Sequence, residues 1–123
     1  MDDLEAFRTE GRRLVDWIAR YLEGGEKLPV LARVRPGEVR GSLPASPPEK
    51  PEALEAILAD VERIIVPGLT HWNHPGFFAY FSNSSAPPAI LAEMLSATFN
   101  VNAMLWKTSP AATELEVVVL DWL

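Results

Sequence analysis

Charged side chains are distributed very unevenly along this chain of 123 residues. Residues 1–70 carry 13 of the 17 acidic residues and 10 of the 11 lysines and arginines. The other 53 residues carry only five charged side chains, namely Glu93, Lys107, Glu114, Glu116 and Asp121. A segment with so few charges cannot cover a large surface with solvated groups. We therefore expect that further protein, either more chain or a second subunit, buries residues 71–123.

The overall composition disfavours several classes of protein. The net charge of −6 argues against a general nucleic-acid binder, and the absence of cysteine excludes disulfide and thiolate chemistry. No apolar run reaches the roughly 18 residues that span a bilayer, and the acidic segment MDDLEAF differs from a signal peptide. We therefore expect a cytoplasmic protein with no nucleic-acid partner and no membrane partner.

The spacing of apolar and capping residues predicts four helices. They cover residues 4–22, about 51–65, about 88–99, and 109 onward. Gly11 lies inside the first helix, where glycine costs about 1 kcal/mol relative to alanine, and it therefore indicates close packing against another element. The fourth helix reaches Leu123 without a stop signal, so we expect it to continue beyond this sequence.

Two irregular segments join these helices. The connector at residues 26–48 contains five prolines, which forbid a regular helix and favour a chain that wraps other structure. Residues 71–85, HWNHPGFFAYFSNSS, contain five aromatic side chains within ten residues, and their alternation predicts an extended segment. The predicted fold is therefore mainly α, with about four helices joined by a proline-rich connector and an aromatic extended segment.

The aromatic segment has two interpretations. Aromatic rings beside hydroxyl and amide groups are typical of small-molecule pockets, but such clusters also pack protein cores. His71 and His74 alone cannot complete a zinc site, because no cysteine or well-spaced carboxylate joins them. The sequence contains neither a glycine-rich phosphate loop nor a nucleophile elbow. We therefore predict no metal site and no complete set of catalytic residues in this chain.

Several motifs resemble the pyridoxal-phosphate-dependent group II decarboxylases of the aromatic-L-amino-acid decarboxylase type. The matching segments are His74-Pro75, FFAYF at 77–81, SPAATELE at 109–116 and DWL at 121–123. The resemblance implies a fold-type I enzyme that decarboxylates an L-amino acid, with an aromatic one favoured. It also implies that residues 1–85 form a helical flap that packs on the partner subunit of a homodimer. Residues 86–123 would then begin the large domain.

The resemblance also implies a pyridoxal 5'-phosphate cofactor for the complete enzyme. The family's cofactor lysine has no counterpart here, because Lys27, Lys50 and Lys107 do not match its motif. We therefore expect this chain to be inactive alone and to hold no covalently bound cofactor. The alternative is a non-catalytic helical module whose apolar second half associates with its own copy or with another protein.

Candidate substrate-binding residues follow from the resemblance, position by position. The residues that match the lining of the substrate pocket are Trp72, Tyr80, Phe81 and Asn83. The residues that match positions reaching into the neighbouring subunit's pocket are Asn102 and Met104. Ser82-Asn83 stands where animal enzymes carry Pro-Thr, which alters the polar edge of the pocket. Residues 103–105, Ala-Met-Leu, stand where those enzymes carry a Gly-Phe-Ser-like run. Methionine thus replaces an aromatic side chain, which affects the substrate ring that the pocket prefers.

Overall fold

The computed structural model describes residues 3–81 and 85–123, and all of their regular structure is helical. The five α-helices are α1 (Leu4–Gly24), α2 (Glu38–Ser42), α3 (Leu54–Asp60), α4 (Pro87–Phe99) and α5 (Pro110–Trp122). This confirms the mainly α fold and the four predicted helices, and it adds the short helix α2. The chain forms two compact units, residues 1–82 and 83–123. The assignment of residues 1–85 to a flap and 86–123 to a large domain stays a prediction.

Helix α1 begins and ends close to the predicted positions. The carboxylate of Asp3 caps it by accepting a hydrogen bond from the Glu5 backbone N–H at 2.8 Å. A 3₁₀ turn over Gly25–Lys27 follows its last residue. The close packing predicted at Gly11 is wrong within the described chain, because a Cβ built there meets no atom within 4 Å. Gly11 therefore lies on a side of α1 where the described residues leave room for a larger side chain.

Helix α2 corrects the prediction that the connector holds no regular helix. Every residue between Pro36 and Pro44 has a backbone N–H, so one helical turn fits between the two prolines. Gly37 supplies the sharp entry with a left-handed φ of 92°. The Glu38 carboxylate then accepts a hydrogen bond from the Arg35 backbone N–H at 2.9 Å, which closes the turn.

Helix α3 continues in two turns of different pitch. A π-helical turn covers Val61–Ile65 and a 3₁₀ turn covers Val66–Gly68, so the helical path agrees with the predicted end. The start is three residues later than predicted, because Ala53 is extended and Pro51 lies outside the helix. The π-helical turn buries Ile64 while Glu62 reaches α1, where its carboxylate accepts from the Trp17 indole.

The second unit contains α4 and α5. Helix α4 begins with two prolines and ends at Asn100, which adopts a left-handed φ of 48°. Helix α5 is capped by Ser109, whose hydroxyl accepts from the Ala112 backbone N–H at 3.4 Å. Many large apolar side chains of this unit are exposed, among them Leu91, Leu95, Phe99, Leu115 and Trp122. No helix in the described ranges has the length and apolarity that a bilayer crossing requires.

Candidate functional site

The aromatic segment folds as a series of turns rather than the extended segment that its alternation predicted. The His74 backbone N–H donates to the His71 carbonyl at 3.0 Å, and the Phe77 N–H donates to the His74 carbonyl at 2.9 Å. A bend follows at Ala79 and Tyr80. The alternation misled because Pro75 and the hydrogen-bonding ring of His74 favour turns at the start of the segment.

His71 anchors the start of this segment in the protein interior. Only 3% of the residue is exposed, and its backbone N–H donates to the Val30 carbonyl at 2.9 Å. Its ring Nδ1 lies 2.8 Å from the hydroxyl of Tyr21 on α1. Burial raises the pKa of Tyr21, so the hydroxyl keeps its proton at neutral pH. The Tyr21 hydroxyl and Nδ1 of His71 therefore form a hydrogen bond that joins α1 to the start of the aromatic segment.

His74 holds the next turn through both ring nitrogens. Its Nδ1 accepts a hydrogen bond from the Gly76 backbone N–H at 2.8 Å, so this nitrogen carries no proton. Nε2 then carries the proton and donates it to the Glu26 carbonyl at 3.3 Å. Both histidines are thus structural ties to α1 and the turn that follows it. The described ranges contain no group of three or more side chains suited to hold a metal.

Three of the candidate substrate-binding residues lie on this segment. The ring of Trp72 stacks on Phe77 with centroids 4.9 Å apart and on Tyr80 with centroids 5.7 Å apart. Trp72 is 47% exposed, whereas Tyr80 is 82% and Phe81 is 100% exposed. The structure therefore brings Trp72 and Tyr80 together and presents their rings, with Phe81, as an open aromatic surface. Asn83 lies outside the described residues.

The other two candidates lie in the loop between α4 and α5. The Asn102 side-chain oxygen accepts from the Met104 backbone N–H at 2.8 Å, so the two residues are direct neighbours. The Thr108 hydroxyl donates to the carbonyls of Asn102 and Leu105, at 2.6 and 2.8 Å. The loop is therefore closed by its own hydrogen bonds. Met104, 81% exposed, lies at its surface.

Sequence reasoning missed the role of Tyr21. In the sequence Tyr21 falls among the apolar residues of α1, and no spacing rule connects it to a histidine fifty residues later. The one available signal was an aromatic hydroxyl within an otherwise apolar stripe, since a buried tyrosine hydroxyl usually finds a hydrogen-bond partner.

The sequence matches a known family and several known proteins. Residues 36–123 match the pyridoxal-dependent decarboxylase conserved domain. The chain is 50% identical to tyrosine decarboxylase 2 of Narcissus pseudonarcissus over 121 residues, which are 98% of this chain and 24% of that protein. It therefore spans about a quarter of the length of this relative.

Two solved structures are similar to it over 98% of its length. The tryptophan decarboxylase of Catharanthus roseus, in complex with L-tryptophan, has a TM-score of 0.90 and 43% identity, with 26% of that chain covered. The 4-hydroxyphenylacetaldehyde synthase of Rhodiola rosea has a TM-score of 0.91 and 47% identity, again with 26% covered. Because the family match covers most of the sequence and these similarities cover nearly all of it, the chain belongs to the pyridoxal-dependent decarboxylase family.

Proposed function

We propose that this chain is the N-terminal part of a pyridoxal-phosphate-dependent enzyme that releases CO₂ from an aromatic L-amino acid. In that enzyme it supplies one wall of the substrate pocket and part of a homodimer interface. The observation that carries the proposal is the open aromatic surface of Trp72, Tyr80 and Phe81, held by turns that His71 and His74 tie to α1. A cytoplasmic location is part of the same proposal.

The described residues do not fit a site for the cofactor itself. A lysine that forms a covalent bond with a carbonyl group has to be desolvated in its pocket, but Lys27, Lys50 and Lys107 are all exposed. Pyridoxal phosphate supplies an acceptor for the electron pair that remains when the carboxylate departs. We assign no step of that chemistry to these residues. Their proposed work is to bind and orient the substrate side chain and to exclude water.

The aromatic surface suits a substrate that carries a ring. Two stacked aromatic rings gain about 0.5–1.5 kcal/mol beyond the burial of their area. The names of the relatives, which include a tyrosine and a tryptophan decarboxylase, support an aromatic substrate. A 4-hydroxyphenylacetaldehyde synthase shares the same region. We therefore propose that this region selects the substrate side chain and that other parts of the enzyme determine the product.

The dimer part of the proposal rests on the apolar side chains of α4 and α5. Leu95 and Phe99 on α4, and Leu115 and Trp122 on α5, leave large apolar areas exposed. Exposed apolar area of this extent is typical of surfaces that other protein covers. The same observation favours the alternative function, a non-catalytic helical module that associates through this unit.

The first test measures substrate selection in the full-length gene product loaded with pyridoxal phosphate. We expect Trp72→Leu to lower kcat/KM for L-tryptophan and L-tyrosine about tenfold, because a loss of about 1.4 kcal/mol of ring contact corresponds to that factor. Tyr80→Phe probes the hydroxyl on this wall, and Asn83→Ala probes the amide of another candidate residue. Phe78→Leu is the matched control, since Phe78 is exposed but is not a candidate, and we expect its kcat/KM to stay within about twofold. Unchanged kcat/KM in Trp72→Leu, Tyr80→Phe and Asn83→Ala would remove these residues from the site.

A second test separates the enzyme from the module. The full-length gene product is mixed with pyridoxal phosphate and its visible absorption band, CO₂ release and sedimentation are measured. A band with CO₂ release from an aromatic amino acid supports the enzyme. A dimer that shows neither the band nor CO₂ release supports the module.

A further inference from the structure

We infer that Tyr21 on α1 is a positioning residue for substrate selection, which acts through the buried ring of His71 on Trp72. The inference rests on the proposed function, because it concerns the wall that Trp72 forms. Tyr21 itself does not belong to that wall. Tyr21 lies fifty residues before His71 in the sequence, and its hydroxyl is 2.8 Å from Nδ1 of His71.

His71 fixes the chain at the residue immediately before Trp72. Its ring is held at Nδ1 by Tyr21, and its backbone N–H is held by the Val30 carbonyl at 2.9 Å. The residue is almost fully buried, so water cannot replace these partners without a local opening. The indole of Trp72 therefore leaves the backbone at a defined point and in a defined direction, and the ring of Tyr80 stacks on it.

Tyr21 is itself held by a second aromatic ring. Its ring lies parallel to that of Trp17, one turn earlier on α1, with centroids 5.6 Å apart and an interplanar angle of 4°. The Trp17 indole N–H donates to the Glu62 carboxylate at 2.6 Å. A continuous chain of contacts thus runs from the π-helical turn after α3, across α1, to the start of the aromatic segment.

The substitution that isolates this role is Tyr21→Phe. Phenylalanine keeps the ring that stacks on Trp17 and removes only the hydroxyl. Nδ1 of the buried imidazole then loses its hydrogen-bond partner, and the ring is expected to shift toward water or toward another partner. The shift moves the backbone before Trp72, while α1 keeps its packing.

The experiment uses the full-length gene product loaded with pyridoxal phosphate and measures KM and kcat for L-tryptophan and L-tyrosine. We expect Tyr21→Phe to raise KM for L-tryptophan about fivefold, which is less than the tenfold effect expected for Trp72→Leu on kcat/KM, because the indole is displaced and not removed. The KM for L-tyrosine should rise less, so that the ratio of the two kcat/KM values changes. A purely structural role would reduce the fraction of active enzyme equally for both substrates and leave both KM values unchanged.

Asp3→Ala is the matched control. It removes the carboxylate that caps α1 by accepting from the Glu5 N–H, and it leaves Tyr21 and His71 intact. We expect it to lower the melting temperature at least as much as Tyr21→Phe, with both KM values unchanged. Hydrogen–deuterium exchange gives a readout that does not depend on activity. The backbone N–H of His71 should exchange faster in Tyr21→Phe than in Asp3→Ala.

The outcomes distinguish this inference from the proposed function. If Trp72→Leu lowers kcat/KM for L-tryptophan but Tyr21→Phe changes only the melting temperature, the positioning role is overturned and the substrate wall stands. If Tyr21→Phe changes the KM ratio and the exchange at His71 while Asp3→Ala changes neither, the role is supported. If Trp72→Leu leaves kcat/KM for L-tryptophan unchanged, Trp72 is removed from the proposed wall and the positioning role fails with it.

Discussion

Tyr80 stacks on Trp72 with an interplanar angle of 8° while its own backbone holds a left-handed φ of 55°. For a bulky non-glycine residue this conformation is unusual and costs about 1–2 kcal/mol. Stacking of the two rings offsets part of that cost. Strained backbone of this kind concentrates at ligand-binding sites, which agrees with the proposed role of the aromatic surface.

The strain at Tyr80 predicts an unusual order of stability among substitutions. Tyr80→Asn and Tyr80→Val both remove the ring, but asparagine tolerates the left-handed conformation and a β-branched residue does not. We expect Tyr80→Asn to be more stable than Tyr80→Val by about 1 kcal/mol, as measured by urea unfolding. The control pair is Phe78→Asn and Phe78→Val, at a residue where no positive φ occurs. There the preference for asparagine should be absent, because the left-handed conformation that penalises valine does not occur. The same order at both positions would contradict the strain.

The free energy of unfolding should also depend on the protonation of Tyr21 at alkaline pH. Burial raises the pKa of Tyr21 above its ordinary value of 10.0, so the unfolded chain loses this proton before the folded chain does. The stabilisation is fully present below pH 10 and falls as the pH rises through the pKa of the folded state. We expect the wild-type protein to lose more stability between pH 8 and pH 11 than Tyr21→Phe.

Urea unfolding at the two pH values measures this difference. Tyr80→Phe is the matched control, because it removes the hydroxyl of a tyrosine that is largely exposed. Its loss of stability between the two pH values should equal that of the wild-type protein. An equal loss in Tyr21→Phe and wild type would show that burial of Tyr21 has no energetic consequence.

Helices α1, α4 and α5 could be predicted because their signals are local. Asp3 and Ser109 cap the helices that follow them, and prolines occupy the first turns of α4 and α5. Helix α2 was missed because a count of prolines hides the gap that Pro36 and Pro44 leave between them. The aromatic alternation does not predict the turns at residues 71–77, because these turns depend on hydrogen bonds of the backbone and of the His74 ring that periodicity does not reveal.

The local signals that predict helices do not identify the residues of the candidate site. The family resemblance provided its residues, but the contact of Tyr21 with His71 follows from neither periodicity nor resemblance. It joins positions fifty residues apart, and only the packing of α1 against the connector and the aromatic segment brings them together. The proposed role of these residues is to form a wall of the substrate pocket, and the proposed reaction depends on the complete enzyme.

Gly68 is expected to be intolerant of alanine for a steric reason. A Cβ built at this residue would lie 2.8 Å from Cγ2 of Val39, where α2 meets the turn that follows α3. We expect Gly68→Ala to destabilise the protein by about 1–3 kcal/mol, as overpacking does. Gly41→Ala, also in this region, meets no atom within 4 Å and should stabilise α2 by about 0.5–1 kcal/mol.

A double-mutant cycle with Val39→Ala identifies the clash. If the methyl group of Val39 is the obstacle, Gly68→Ala should cost much less in the Val39→Ala background, with a coupling of about 1 kcal/mol or more. Thermal and urea unfolding of the four proteins measure it. Additive effects of the two substitutions would place the cause elsewhere.

The hydroxyl of Thr108 is expected to hold the loop that carries Met104. Its proton is shared between the carbonyls of Asn102 and Leu105, so Thr108→Val removes both of these contacts, while the Thr108 backbone N–H still donates to the Leu105 carbonyl. We expect a loss of about 1 kcal/mol in unfolding free energy and faster amide exchange at Met104, whose N–H is held by Asn102. Thr98→Val is the matched control, because the Thr98 hydroxyl donates to the Met94 carbonyl at 2.8 Å within α4 and does not touch the loop. It should change stability by about 0.5 kcal/mol or less and leave exchange at Met104 unchanged. Equal exchange at Met104 in both variants would mean that the loop is held by contacts other than those of Thr108.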